Sequence, residues 1–267
     1  MIHQLAYVHP DAQIDANVTI DPFACISGDV VIGEGTRVLS HAVVMDGARI
    51  GKNCMIFPGA VVAGIPQDLK FDGEYTTVEI GDNTTIRECV TVNRGTKAKS
   101  KTSVGNNCLL MAYVHIAHDC RIGNNCIIVS HVGLAGEVEA DDWAIISGGV
   151  LVHQFVRIGK HVIVAGGSKV RKDIPPYVKA GRDPLAYVGV NSVGLRRRGF
   201  TNEKIYELQD IYRALYQKNL NHGEAMKFIE ENFPPNPERD EILGFVRNSK
   251  RGIMKGYNAN TVEGDDD

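Results

Sequence analysis

The chain has 267 residues, of which 43% are hydrophobic and 7% aromatic, and its formal net charge is -3. A chain of this length can bury a sizeable core, but it has few aromatic side chains to fill it. The balance of 29 basic against 32 acidic residues disfavours a basic nucleic-acid-binding protein. Neither a run approaching about 18 apolar residues nor a basic, apolar leader is present, which predicts a soluble cytoplasmic protein without stable membrane insertion.

From its first residues the chain carries an aliphatic residue at every sixth position. The repeat holds its phase from Ile2 to Val62, resumes from Ile80 to Val92, and runs again from Val104 to Val170. A period of six fits neither an amphipathic helix nor a plain alternating strand. It fits a parallel β-helix, in which each hexad supplies one short strand and three hexads complete a coil.

Such a prism has room for Ile and Val but little for rings, and Gly, Asn and Asp suit its corners. Two segments without the aliphatic position, 64–77 and 93–103, are predicted to be loops inserted into this scaffold. Four of the six cysteines share one small-residue position of the repeat, and we expect them to be buried: Cys54, Cys108, Cys120 and Cys126.

Beyond Val170 the repeat ends at adjacent prolines, and from Thr201 apolar residues recur at helical spacing. Further helices are predicted over about 222–232 and 236–249. We therefore expect three parts, which are a β-helix domain over 1–188, a small α-helical C-terminal domain over 189–257, and a disordered acidic tail over 258–267.

The segment HIAHDC at 115–120 carries the most informative cluster of polar side chains. His118 and Asp119 fall at a predicted corner of the prism and face outward. Because three hexads make a coil, Gly136 lies one coil beyond His118 and Gln154 two coils beyond it, so these residues should stack in one column. Such a column suits acyl transfer, with the imidazole as general base, the Gly N–H as oxyanion donor, and the amide positioning substrate.

Several further motifs make a resemblance specific: IPQDLKFDGE (65–74), IRECVTVNRGT (86–96), LAGEVEADD (134–142), VHQF (152–155), DIPPYV (173–178) and GLRRRGF (194–200). With HIAHDC, they follow the order found in the UDP-N-acetylglucosamine acyltransferases that begin lipid A synthesis, and the sequence resembles this family over about its first 250 residues. The resemblance implies a left-handed β-helix, a homotrimer, and transfer of a 3-hydroxyacyl chain from acyl carrier protein to the sugar 3-hydroxyl without a metal ion or cofactor.

The resemblance also implies roles for individual residues. His118 would be the general base, Asp119 its orienting carboxylate and Gly136 the oxyanion donor, while Gly166 would limit the depth of the acyl chain. The substrate contacts would be Asp68, Lys70, His115 and Gln154 for the sugar and diphosphate, with Gln154 from across a subunit boundary, and Asn191, Arg197 and Arg198 for the nucleotide.

Two positions depart from the family pattern. Glu137 stands where the family has His after the oxyanion Gly, and Val193 stands where it has Glu after the nucleotide-contact Asn. They leave open whether the acceptor carries a 3-hydroxyl or a 3-amino group. Basic runs at 196–198 and at Lys97, Lys99 and Lys101 could contact the acidic carrier protein, or could be solvated faces.

Three alternatives remain. One is the related N-acyltransferase that acts later on acylated glucosamine, although its extra N-terminal domain has no counterpart before Ile2. Another is a zinc enzyme resembling γ-type carbonic anhydrases, with zinc held at a subunit interface and His115, His118 and His153 as the nominated ligands. The third is a purely structural β-helix, which would have no need of the HIAHDC column.

Overall fold

From Ile20 to Val170, each hexad forms one short strand, whose aliphatic residue is buried and whose preceding residue is more exposed. In the first coil the aliphatic residues are less covered, since Ile2 is exposed and Val8 and Ile14 are partly buried. The structure is a computed structural model that describes residues 1–217 and 220–256. Successive strands turn around three sheets, and strands one coil apart pair in parallel. Ile116 stands against Leu134, and Leu134 against Val152, which confirms the predicted coil of three hexads.

Within the described residues, the three sheets contain nine, eight and eleven strands. The first sheet consists of β1 (Tyr7–Val8), β4 (Cys25–Ile26), β7 (Val43–Val44), β10 (Val61–Gly64), β13 (Thr91–Asn93), β16 (His115–Ile116), β19 (Gly133–Leu134), β22 (Leu151–Val152) and β25 (Lys169–Val170). The second consists of β2 (Gln13–Ile14), β5 (Val30–Ile32), β8 (Ala48–Ile50), β11 (Thr77–Ile80), β14 (Lys101–Val104), β17 (Arg121–Ile122), β20 (Glu139–Ala140) and β23 (Arg157–Ile158). The third consists of β3 (Thr19–Ile20), β6 (Arg37–Val38), β9 (Met55–Ile56), β12 (Thr85–Ile86), β15 (Leu109–Leu110), β18 (Ile127–Ile128), β21 (Ile145–Ile146), β24 (Ile163–Val164), β26 (Val178–Gly181), β27 (Ala186–Val190) and β28 (Lys255–Gly256).

The aliphatic residues of successive coils stack on one another to form a dry core along the prism axis. Ile26, Ile56 and Ile128 are among its fully buried members. The predicted burial of the four cysteines is confirmed, and all four are free thiols. Because each residue packs against the coils above and below it, the core is continuous from one end of the β-helix to the other.

In several coils, the amide two residues after the aliphatic position is bonded outside the sheet ladder. At the second corner, between the second and third sheets, side chains of the next coil accept these N–H groups. Asp82 Oδ1 accepts from Lys52 N–H at 2.7 Å, Asn106 Oδ1 from Asp82 N–H at 2.7 Å, and Asn124 Oδ1 from Asn106 N–H at 2.9 Å. This ladder satisfies amides that would otherwise need water.

Both predicted insertions leave the β-helix at the first corner, between the first and second sheets. The first loop covers 65–76 and the second loop covers 94–100, so each is shorter than the sequence predicts. The ends of the predicted segments belong to strands, because β11 and β14, which follow the two loops, pair with each other along their whole length. The two loops therefore lie on neighbouring coils of the same corner.

The end of the β-helix differs from the prediction. Pro175 and Pro176 do not end the third sheet, because the strand after them, β26, pairs in parallel with β24. The paired residues Ile163 and Lys179 are fewer than 18 residues apart, so this last turn is shorter than a full coil. β27 then pairs antiparallel with β26. The predicted domain boundary at 188 falls inside β27. The helical part begins at the cap Asn191, and the predicted tail at 258–267 lies outside the described residues.

Four helices follow: α1 (Ser192–Arg197), α2 (Asn202–Gln217), α3 (His222–Asn232) and α4 (Pro237–Arg247). The sequence predicts α2, α3 and α4 but not the short α1. Thr201 Oγ1 accepts from Lys204 N–H at 3.3 Å, as expected of an N-cap. No helix among the described residues is long and apolar enough to cross a membrane.

An aromatic stack joins the last coils to the helical part. The His161 ring stacks on Trp143 and Tyr177, and the Phe200 ring meets it edge-on. Burial, followed by the nearby charges of Arg198 and other groups, lowers the pKa of His161 to about 4. The folded protein therefore holds this ring neutral at a pH where an unfolded chain would protonate it.

This stack predicts loss of stability in mild acid. Because the pKa of His161 is depressed on folding, the unfolded state binds the extra proton between about pH 6.5 and pH 4, and stability falls as the pH falls through that range. Urea unfolding at pH 7 and pH 5, at fixed protein concentration, should show a larger loss for the wild type than for His161→Asn, since Asn tolerates the positive φ at this position. Equal losses for the two proteins would contradict this account.

Candidate active site

His118 lies at the first corner, directly after strand β16. A Cβ atom built on Gly136, one coil further on, would stand 2.5 Å from both Nε2 and Cε1 of the His118 ring. Only glycine leaves room for the ring in this position. Gln154, two coils from His118, is partly buried and continues the column that the hexad phase predicts.

The His118 imidazole is paired on one side and open on the other. Its Nδ1 lies 2.8 Å from Asp119 Oδ2, and the two side chains are 11% and 0% exposed. With the carboxylate as acceptor, Nδ1 carries the ring proton and Nε2 keeps a free lone pair. Nε2 is therefore the atom that can accept a proton from a substrate hydroxyl.

Asp119 does not face solvent as the corner position predicts. It is 1% exposed, because the second loop folds over it. Asp119 Oδ1 accepts from the Thr96 N–H at 2.9 Å and from the Lys99 N–H at 3.2 Å, and Thr96 Oγ1 donates to Oδ2 at 2.7 Å. Sequence reasoning missed Thr96, because a contact between an inserted loop and a corner leaves no mark in the repeat.

Gly136 stands two residues after the aliphatic Leu134. At the second corner, the amide at this position is bonded to a side chain of the next coil. Within residues 1–217 and 220–256, no backbone or side-chain oxygen accepts the Gly136 N–H. Its neighbours are engaged: Glu137 N–H donates to the His118 carbonyl at 3.0 Å, and Phe155 N–H donates to the Gly136 carbonyl at 3.2 Å. The Gly136 amide is therefore unpaired in a residue that packs against the His118 ring, which makes it a candidate donor to a developing oxyanion.

His115 lies on β16, three residues before His118. Its Nδ1 is 2.7 Å from Thr91 Oγ1. Burial lowers the pKa of His115, so its ring is neutral near pH 7. Thr91 precedes the buried Val92 on the neighbouring strand β13, which fixes its hydroxyl on the outer face. A neutral, oriented imidazole at this position can exchange hydrogen bonds with a sugar.

The other predicted sugar contacts lie in the first loop. The Asp68 side chain accepts from the Lys70 N–H at 3.0 Å, and its carbonyl accepts from the Phe71 N–H, which closes a local turn. Leu69, at the tip of this turn, is fully exposed. No hydrogen bond or ion pair among the described residues joins Asp68 or Lys70 to His118.

The three predicted nucleotide contacts differ in burial and in whether they have a hydrogen-bond donor free for a ligand. Asn191 is 5% exposed, and its side chain accepts from Gly194 N–H and donates to the His161 carbonyl, so it caps α1. Arg197 is exposed. The Arg198 guanidinium lies 4.8 Å from the Trp143 ring centroid, and its Nη1 is buried without a hydrogen-bond partner among the described residues. Of the three, Arg198 therefore keeps a buried donor free for a ligand.

Glu137 and Phe155 connect the Gly136 column to an open cavity of about 610 Å³. Lys99 also lines this cavity, and its ammonium pairs with Glu139 at 3.1 Å. Lys101 pairs with Glu79 at 2.8 Å on the same face. Two of the three lysines that could contact a carrier protein are thus already in ion pairs.

Gly166 lies at the third corner, between the third and first sheets, next to three other glycines: Gly148, Gly149 and Gly167. Gly166 is exposed, and a Cβ there would stand 3.2 Å from the Gly148 carbonyl. The last coils therefore present a bare strip of backbone. Val193, the second departure from the family pattern, is an exposed residue of α1.

Within the described residues of one chain, the histidines of the zinc alternative do not form a three-ligand cluster. His115 and His118 bind Thr91 and Asp119 through Nδ1, and the exposed His153 lies 3.1 Å from the Gln154 carbonyl. Among the described residues, no group of three or more His, Cys, Asp or Glu is arranged to hold a metal ion.

Comparisons with known proteins identify the family of the chain. A family model described as UDP-N-acetylglucosamine O-acyltransferase, domain 2, matches residues 173–254, and one for bacterial transferase hexapeptide repeats matches 29–64 and 101–136. Two relatives are named acyl-(acyl-carrier-protein)–UDP-N-acetylglucosamine O-acyltransferase. The Thermodesulfovibrio yellowstonii protein is 43% identical, over 95% of this chain and 99% of its own, and that of Janthinobacterium sp. strain Marseille is 41% identical, over 96% and 99%.

Solved structures give the same result. A UDP-N-acetylglucosamine acyltransferase from Bacteroides fragilis 9343 has a TM-score of 0.94 and 52% identity, and covers 96% of this chain and 100% of its own. A second one, from Francisella novicida, has a TM-score of 0.93 and 43% identity, and the match covers 97% of this chain and 95% of its own. These matches confirm the predicted fold class, a left-handed parallel β-helix followed by α-helices, and the O-acyltransferase names leave the N-acyltransferase and zinc-enzyme alternatives without support. The chain therefore belongs to the UDP-N-acetylglucosamine O-acyltransferase family.

Proposed function

We propose that the protein transfers a 3-hydroxyacyl group from acyl carrier protein to the 3-hydroxyl of UDP-N-acetylglucosamine, the first step of lipid A biosynthesis. The relatives are named for this donor and this acceptor. The observation that carries the chemistry is the open Nε2 of His118 beside the unpaired Gly136 N–H. Base and oxyanion donor are the two groups that attack on a thioester requires.

In the first step, His118 Nε2 takes the proton of the sugar 3-hydroxyl while the oxygen attacks the thioester carbonyl. Asp119, bonded to Nδ1, holds the ring in the required tautomer and stabilises the imidazolium that forms. Because Asp119 is buried, its charge is little screened by water.

In the second step, the tetrahedral intermediate places negative charge on the former carbonyl oxygen, and the Gly136 N–H binds it. The intermediate then expels the carrier-protein sulfur as a thiolate, which takes the proton from Nε2 and becomes a thiol. The new ester bond replaces the thioester bond, and the imidazole returns to its neutral form. Atoms and charges balance with these groups alone, so the proposed mechanism uses no cofactor.

The remaining substrate contacts belong to a homotrimer in this proposal. Among the described residues, no hydrogen bond or ion pair joins Asp68 or Lys70 to His118 or Gly136, as expected if a neighbouring subunit completes each site. Gln154 would then reach the sugar across the boundary. Arg198, with its free buried Nη1, and the exposed Arg197 are suited to the diphosphate, because guanidinium donors match phosphate oxygens. We propose a cytoplasmic location for the enzyme.

The nature of the acceptor group and the acyl length are the finer parts of the proposal. The bare strip around Gly166 accommodates a long acyl chain. Glu137 lines the cavity beside the column, and its carboxylate can accept a hydrogen bond from a hydroxyl or from an amino group. We propose the 3-hydroxyl because the relatives are named O-acyltransferases.

Mass spectrometry of the reaction product tests this function. The purified protein should acylate UDP-N-acetylglucosamine with one member of a panel of 3-hydroxyacyl carrier proteins, giving an ester. A protein that acylates only the 3-amino analogue would contradict the proposed acceptor. Failure with the whole panel would contradict the function.

His118→Ala should abolish measurable transfer, since loss of a general base costs about 10²- to 10⁴-fold in rate. The fold should survive, because the ring lies outside the aliphatic core. Steady-state kinetics measure the loss, and light scattering checks that the variant assembles like the wild type. Retained activity would rule out His118 as the base.

Gly136→Ala should be nearly as damaging, because the new Cβ would lie 2.5 Å from the His118 ring and displace it. Gly244→Ala is the matched control, since nothing lies within 4 Å of a Cβ at this helical position. The control should keep full activity and gain about 0.5–1 kcal/mol in helix stability. Equal kcat values for the two variants would show that Gly136 is not needed beside the ring.

A further inference from the structure

Asp119 is held by more hydrogen bonds than its pairing with His118 requires. Two backbone amides of the second loop donate to Oδ1, and one side-chain hydroxyl, that of Thr96, donates to Oδ2. Oδ2 is also the oxygen that meets His118 Nδ1. The Thr96 hydroxyl and the imidazole thus converge on one carboxylate oxygen, at 2.7 and 2.8 Å.

The second loop is built to keep Thr96 in this position. Its carbonyl accepts from Ser100 N–H at 2.7 Å, which closes the loop, and its hydroxyl also accepts from Ala98 N–H at 3.3 Å. Gly95 allows the backbone of β14 to pass close to the start of the loop, since a Cβ at Gly95 would clash with the backbone nitrogen of Lys101. Thr96 is itself 6% exposed, so water does not compete for its hydroxyl.

The loop is anchored from outside as well. Glu74, at the end of the first loop, accepts from Lys97 N–H through Oε1 at 2.9 Å and from Asp72 N–H through Oε2 at 2.8 Å. The Lys99 ammonium, on the other side of Thr96, pairs with Glu139 on β20. The loop around Thr96 is therefore tied to two separate elements.

We infer that Thr96 is a positioning residue of the acyl transfer reaction, which acts through Asp119 to fix the orientation of the His118 imidazole. This inference rests on the proposed function. The two backbone amides hold Oδ1, and the Thr96 hydroxyl is the donor that fixes Oδ2. Without this hydroxyl, Oδ2 and the ring that it holds can shift away from the Gly136 amide. Because the hydroxyl touches neither substrate nor Nε2, its removal should lower the rate of the chemical step and leave acceptor binding unchanged.

The test compares Thr96→Val with Thr96→Ser in the full-length enzyme. Valine keeps the shape and the backbone N–H bond but removes the hydroxyl, whereas serine retains it. Loss of a hydrogen bond to a charged group should lower kcat about tenfold in Thr96→Val, with KM for UDP-N-acetylglucosamine within about twofold of wild type. Thr96→Ser should stay close to wild type, and Thr96→Ala carries the same expectation as valine if the latter does not fold.

Thr102→Val is the matched control, because the Thr102 hydroxyl is buried without a partner among the described residues. It should keep wild-type kcat. A second comparison places Thr96→Val in an Asp119→Asn background, where the change should cost less than about twofold because the carboxylate through which Thr96 acts is gone.

A normal kcat in both Thr96→Val and Thr96→Ala would overturn the inference. So would a tenfold loss in Thr96→Ser, or a full tenfold effect in the Asp119→Asn background. A wild-type enzyme that makes no acylated product would instead contradict the proposed function. These failures are therefore distinguishable.

Discussion

The stacking of one coil on the next is the constraint on which the rest of the structure depends. Parallel pairing separates neighbouring coils by about 4.8 Å, so any two corner residues that lie one coil apart must stand in contact. Along the core this brings aliphatic side chains together without gaps. At the first corner it presses a histidine against the backbone of the next coil, and only Gly136 allows this approach. The same rule therefore produces both the stability of the prism and the geometry of the site.

The corner amides show how one scaffold separates structure from chemistry. At the second corner, Asp and Asn side chains accept successive amides and close the ladder. At the first corner the residue at the same position is Gly136, then Gln154, and the Gly136 N–H has no acceptor in the described chain. An amide that is fixed by the coil but unpaired is preorganised for a developing negative charge. The site thus lies at a corner without such a side-chain ladder, beside a base that the second loop holds in place.

Much of this could be predicted from the sequence, because the hexad phase converts position in the chain into position in space. It predicts the coil, the buried cysteines and the column of His118, Gly136 and Gln154. It could not predict the burial of Asp119, since the path of the second loop follows no period. The shortened register at β26 depends on the local geometry around the two adjacent prolines, and the cap formed by Asn191 belongs to a helix too short to show periodicity.

The central claim is that Asp119 holds His118 with its proton on Nδ1 and its lone pair on Nε2, facing the Gly136 amide. Nitrogen-15 NMR of the histidine-labelled enzyme near pH 8 tests this directly, with the His118 signals identified by their absence from His118→Ala. The account predicts a neutral ring protonated at Nδ1, with an unprotonated Nε2. A His118 ring protonated at Nε2 under these conditions would contradict it, because that nitrogen could not accept the proton of the acceptor hydroxyl.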